Sequence, residues 1–160
     1  MPGLELNGTE FYHLASQILG SGNQLRFQAR GQSMQPLIQD GDILIIAPLA
    51  GNPIHRGDVL LVDAGDGRLL AHRAIKLERR ATGMHYLIKM DAGTVPDGWF
   101  TYDAILGRVE VLERGASKIR LTSSFHYWKA WVWLAFAPWA SKLTWLPERF
   151  RQRFREWLLV

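Results

Sequence analysis

Between residues 24 and 30 polar and apolar side chains alternate: Leu25, Phe27 and Ala29 against Gln24, Arg26, Gln28 and Arg30. A period of two sends successive side chains to opposite faces, so this stretch predicts a half-buried β-strand. Ahead of it, Phe11, Leu14, Ala15, Ile18 and Leu19 recur at intervals that fit one face of a helix over 9–19. Asn7 or Thr9 can cap that helix and Gly20-Ser21-Gly22 ends it, while His13 falls off the apolar face and reads as solvated. Behind the first strand the chain turns at Asp40-Gly41-Asp42 into the apolar run Ile43 to Ala47, a buried strand. A second Gly-Asp pair, Gly57-Asp58, opens the run Val59 to Val62, and Asp63 to Gly67 is a hairpin turn into a strand over Arg68 to Leu77. Both Gly-Asp pairs read as structural, the glycine making the turn and the aspartate holding nearby backbone. Further strands are expected at His85 to Met90, Ala104 to Glu113 and Ser117 to Leu121, with Asp91 to Asp103 as a loop rich in glycine and proline. Short strands at close intervals after one helix predict a mainly β body, a sandwich or a coiled antiparallel β-sheet.

The pattern changes after residue 124. Residues 125–160 hold every tryptophan of the chain except Trp99. The longest uncharged run there, Ala130 to Ser141, is broken by Pro138 and falls short of the roughly 20 residues a spanning helix needs. From Pro147 onward, Phe150, Phe154, Trp157 and Leu158 fall on one side, with Arg149, Arg151, Arg153 and Arg155 around them. That is the pattern of an amphipathic helix lying in a membrane interface, with Trp128, Trp131, Trp133 and Trp145 suited to the headgroup level and the arginines to anionic lipid. A helical hairpin packed on the body or on another subunit is the alternative. The expected organisation is therefore a domain over 1–124 and a membrane-surface tail over 125–160.

Charge sharpens this division. Of the 19 basic and 15 acidic side chains, six and two lie in 125–160, so the whole net charge of +4 belongs to the tail. The body, balanced in charge, lacks the clustered Lys and Arg of a nucleic-acid face, and no nucleic-acid partner is expected. With no cysteine, disulfides, thiolate metal sites and cysteine nucleophiles are excluded, and neither metal nor cofactor is expected. The N-terminus has no basic stretch followed by an apolar one, so no signal peptide is expected, and the tail predicts peripheral attachment at the cytoplasmic face. The oligomeric state is not legible.

The body contains one well-placed hydroxyl. Ser33 follows the first strand at a turn made by Gly31, which lets a carbonyl approach closely. A serine in a glycine turn more commonly satisfies backbone groups alone, so a nucleophile also requires a base. Among the five histidines, His72 sits within a strand, sharing a face with Leu70 and Ala74, where a structural histidine is the competing reading. His55 and His85 lie in or beside loops.

The order of motifs separates these readings. Gly-Gln-Ser-Met-Gln-Pro at 31–36, Gly-Asp at 41–42, Gly-Asp-Val-Leu-Leu-Val at 57–62, His-Arg-Ala-Ile at 72–75 and Lys-Met-Asp-Ala-Gly at 89–93, with Asp97 beyond, resemble the successive boxes of the signal peptidase I family. LexA-type self-cleaving repressors share the Ser-Met-x-Pro and Gly-Asp elements. The resemblance covers roughly residues 25 to 112 and implies the coiled antiparallel sheet of that superfamily. It implies a serine endopeptidase cutting leader, signal or precursor peptides with small residues near the cut. Most bacterial members have Lys-Arg where this chain has His72-Arg73, and the histidine variant is that of the endoplasmic-reticulum, archaeal and sporulation-type enzymes. By that resemblance Ser33 is the nucleophile and His72, not Lys76 or Lys89, is the base. Asp91 and Asp97 have the spacing of the acidic box, with Met90 in place of its glycine and Ala92 in place of its asparagine. Either aspartate is a candidate to orient His72. The Ser33 N–H is the expected oxyanion donor, and Gly31 stands where many bacterial members carry a second, hydroxyl donor. Gly31, Met34 and Pro36 are expected to position substrate, Met34 as a lid on the apolar side of Ser33 and Pro36 as a turn lock. The alternatives are a non-catalytic membrane-surface module on the same fold and, ranked lower, a self-cleaving protein. Self-cleavage ranks lower because the roughly 30 residues ahead of Ser33 hold one helix and no DNA-binding domain.

Overall fold

The structure, a computed structural model, describes residues 8–65 and 67–121. The expected boundary at residue 124 and the whole of the tail lie outside the described residues. Helix α1 (Gly8–Gly20) is followed by β1 (Leu25–Gln28), β2 (Ile43–Ala47), β3 (Val59–Asp63), β4 (Leu69–Arg80), β5 (Gly83–Lys89), β6 (Gly98–Thr101), β7 (Ile105–Arg114) and β8 (Ser117–Arg120). A single 3-10 turn, Tyr102–Ala104, joins β6 to β7. The strands form one antiparallel sheet in the order β1-β2-β7-β3-β4-β5-β6, with β8 also on β7. The sheet curls into a half-barrel, so the expected mainly β, coiled antiparallel architecture is what the chain adopts.

The curl has local causes. Register shifts fall at Ile45/Ile46, Leu61/Val62 and Ala74/Lys76, and each such irregularity adds bend and twist to a sheet already twisted by its own strand geometry. Bending gives two apolar cores. The first gathers Ala15 and Leu19 of α1 with Leu25, Leu44, Ile46, Val59, Leu61, Val109 and Leu112. The second holds Leu60, Val62, Ala74, Tyr86, Ile88 and Ile105. Alternate residues of β3 thus serve different cores, the expected consequence of a continuous apolar run buried on both faces.

β7 is the spine. It pairs with β2 on one side and, on the other, with β3 through Ile105, Gly107 and Arg108 and with β8 through residues 111–114. A Cβ at Gly107 would lie 2.6 Å from the Ala47 carbonyl oxygen, so only glycine permits this approach of β7 to the end of β2. Both Gly-Asp corners are fastened to β7. Buried Asp42 accepts the Gln39 N–H at 2.7 Å and Arg114 Nε at 2.8 Å. Buried Asp58 accepts the His55 N–H at 2.8 Å and faces Arg108 Nη1 at 3.4 Å. These corners fix where β2 and β3 begin.

Candidate active site

Residues 29–42 form a loop closed at its base. The Ala29 N–H donates to the Asp42 carbonyl at 2.7 Å, and the Gly41 N–H donates to the Ala29 carbonyl at 2.9 Å. Gly31 has φ +92°, a conformation that side chains oppose, and its N–H donates to Asp40 Oδ1 at 2.7 Å. A Cβ there would meet no atom within 4 Å, so backbone conformation, not lack of space, keeps a hydroxyl-bearing side chain from this position. Met34 departs from expectation. It is buried with Ile38 in the first core, so it anchors the loop from below and is no lid over Ser33. Its unbranched apolar side chain gains more from burial among Leu and Ile than from an exposed place beside a hydroxyl. Pro36 is half-buried and follows a cis peptide bond.

Ser33 itself is half-buried, with its hydroxyl facing His72. His72 is buried in β4, opposite Leu60 of β3, with Nε2 3.1 Å from Ser33 Oγ and Nδ1 2.8 Å from Asp97 Oδ2. A carboxylate at Asp97 can only accept, so with it the imidazole proton would sit on Nδ1 and the Nε2 lone pair would face the hydroxyl. This is the polarity a general base requires, at a separation within the roughly 2.6 to 3.2 Å of proton transfer. Among the described residues no acceptor takes the Ser33 N–H, the donor expected for an oxyanion.

Asp91, the other candidate partner of His72, is elsewhere. Its two carboxylate oxygens take Arg73 Nε at 2.7 Å and Nη2 at 2.6 Å, while Arg73 Nη1 donates to the Gly57 carbonyl at 2.7 Å. His72 and Arg73 are successive strand residues and so point to opposite faces, and an aspartate satisfied by one is out of reach of the other. Burial works against the Arg73 charge, but the Asp91 carboxylate and the hydrogen bonds to it outweigh that and hold its pKa above the ordinary arginine value. Asp91 is thus corrected from a candidate for catalysis to half of a buried clamp.

The loop between β5 and β6 carries both aspartates and is tied down along its length. The Ala92 N–H donates to the Ser33 carbonyl at 2.9 Å, linking this loop directly to the serine loop. The Asp97 N–H donates to the Ile88 carbonyl at 2.9 Å. Lys89 Nζ donates to the Met90 and Gly93 carbonyls, the first at 2.9 Å. Neither the Arg73 clamp nor the Lys89 staple was anticipated from residue patterning. An arginine flanked by apolar residues in a strand is the available signal for the first.

A serine, a histidine and an aspartate in hydrogen-bond sequence on a coiled antiparallel sheet form the constellation of serine hydrolases. The profile of the Peptidase S24-like family matches residues 3–102, and the chain belongs to that family, serine peptidases of the LexA and signal-peptidase type. No curated protein matches it. The tail residues expected at a membrane surface, Trp128 to Trp157, lie outside the described residues. No helix among the described residues is long and apolar enough to cross a membrane.

Proposed function

We propose that the protein is a serine endopeptidase of signal-peptidase type, with Ser33 as nucleophile, His72 as general base and Asp97 as the group that orients His72. The observation that carries this is the contact series Asp97–His72–Ser33, at 2.8 and 3.1 Å. Ser33 Oγ attacks the scissile carbonyl carbon while its proton passes to His72 Nε2, leaving imidazolium beside the Asp97 carboxylate. The tetrahedral oxyanion is met by the Ser33 N–H. As the C–N bond breaks, Nε2 returns the proton to the departing amine. Water then repeats the sequence on the acyl-serine, releasing the acid and the free hydroxyl. The His72-Arg73 pair favours the branch that uses histidine in place of lysine. The substrates proposed are leader, signal or precursor peptides with small residues near the cut. Trp128, Trp131, Trp133, Trp145, Arg149, Phe150, Arg153, Phe154 and Trp157 are proposed to hold the enzyme at an anionic membrane surface.

The test is cleavage of a mixed library of leader-like peptides, with vesicles present, by the wild type and by folded Ser33→Ala and His72→Ala variants. Both variants are expected to lose the same cuts, by at least about a thousandfold. If the wild type cuts nothing, or either variant cuts as well, the peptidase reading fails and the non-catalytic module replaces it. A mass loss on incubating the protein alone, abolished by Ser33→Ala, would identify the chain as its own substrate.

A further inference from the structure

A groove of about 860 Å³ opens along β4 and β5, and its lining reaches the loop that carries Asp97. Its apolar lining is Ile54, Ile75, Leu77 and Leu87. The register shift between Ala74 and Lys76 leaves Ile75 without a partner on β5, and that irregularity gives the groove part of its surface. Arg56, Lys76 and Lys89 supply the charges, and no carboxylate lies among the lining residues. Glu78 stands near Lys76 at 3.3 Å but is held more closely by Arg80 at 2.8 Å. The remaining wall is His55, with Thr94 and Pro96 in the loop whose next residue, Asp97, contacts His72. Lys89 belongs to both regions, since its ammonium staples that loop while its side chain lines the groove.

We infer that this groove receives a stretch of the substrate polypeptide in which acidic and aliphatic residues alternate, at a distance from the scissile bond. The inference rests on the peptidase reading for the occupant's identity, and on charge complementarity for its chemistry. A bound segment with an aliphatic side chain against Ile75 and Leu87 and carboxylates beside Arg56 and Lys76 would satisfy both kinds of lining. The chain's own tail is a poor occupant, because residues 125–160 carry six basic side chains and two acidic ones. Charge at such a rim acts mainly on association and specificity. The groove is therefore a specificity element for the proposed reaction and takes no part in bond breaking.

The direct test uses full-length Ser33→Ala protein and a synthetic peptide of alternating Glu and Leu with a central benzophenone. Photocrosslinks located by mass spectrometry are expected at Ile75–Leu77, Leu87 and Arg56. Yield should fall about tenfold in the added Arg56→Glu/Lys76→Glu pair, and likewise for a peptide with Lys in place of Glu. Crosslinks outside the groove, the chain's own tail included, or equal yields for the two peptides would each overturn the inference. Wild-type cleavage supplies the second arm. Acidic residues at a fixed distance from the cut should lower KM about tenfold, an advantage the charge-reversed pair loses while cutting neutral peptides with unchanged kcat. An unchanged preference in that pair overturns the inference even where cleavage is robust. If no peptide is cut at all, the peptidase reading fails, and the crosslinks alone judge whether the groove binds acidic chains.

Discussion

Two successive residues of β4, His72 and Arg73, are both buried, and each takes a carboxylate from the same loop. The pairs are nevertheless opposite in kind. Arg73 donates to both oxygens of Asp91 and to the Gly57 carbonyl, a charge pair with fixed geometry that holds loop and strand together. His72 has one nitrogen held by Asp97 and the other turned to a hydroxyl that can give up its proton. The difference teaches that burial beside a carboxylate does not define a catalytic group. A saturated pair is scaffold, whereas a pair with one acceptor left facing a nucleophile can do chemistry.

The comparison can be broken first at Asp97. On the proposed mechanism, Asp97→Asn leaves Nδ1 without an anionic acceptor, so kcat should fall by about 10²- to 10⁴-fold while the urea midpoint moves little. A comparable loss of stability in place of activity would make Asp97 scaffold as well. The mirror experiment is Asp91→Ala, which strands the buried Arg73 guanidinium and should cost about 3–5 kcal/mol in urea unfolding. Replacing both partners, as Arg73→Met with Asp91→Leu, should recover a large part of that loss, because it removes the uncompensated charge. Lys89→Met probes the staple between the two aspartates. Losing its hydrogen bonds to the Met90 and Gly93 carbonyls should cost about 1–2 kcal/mol and loosen the loop, read as faster amide exchange at Ala92 and Asp97.

The smallest effect is at Glu113, near the end of β7. Lys118 and then Arg26 hydrogen-bond Glu113 and hold its pKa below the ordinary glutamate value. A depressed carboxylate pKa adds stability that is fully present above the unfolded pKa and is lost as pH falls through the lower folded value. Glu113→Gln should therefore narrow the difference between urea midpoints at pH 7 and pH 3, slightly, since the pair is solvent-screened. An identical pH dependence in the variant would show the ion pairs to be inconsequential.

Much of the body was legible in the sequence because apolar runs and turn residues are local signals. The run Ile43 to Ala47 is β2, and β3 and β4 pair as the expected antiparallel hairpin. Two elements were harder. β6 was hidden in the expected loop because Pro96 closely precedes it, Gly98 opens it and only Trp99 and Phe100 read as strand. β4 runs on to Arg80, past the expected end at Leu77, because pairing with β5 carries charged residues that no apolar period marks. In the candidate site, Ser33 and His72 stood out through motif order. Which aspartate faced which neighbour did not, since the answer depends on the opposite faces of β4 and on tertiary ties such as Ala92 to Ser33. Met34 was misplaced for a related reason, because its neighbourhood is assembled from α1, β2 and β7, far away in sequence.

The position of β7 has a consequence in time. β2 and β3 follow one another in the chain but are not neighbours in the sheet, and the strand that joins them is synthesised only after β4, β5 and β6. Until β7 leaves the ribosome, the half bearing Ser33 and the half bearing His72 have no common spine, and neither Gly-Asp corner has its arginine. A nascent chain therefore lacks the strand that joins these halves until nearly the whole body has been made.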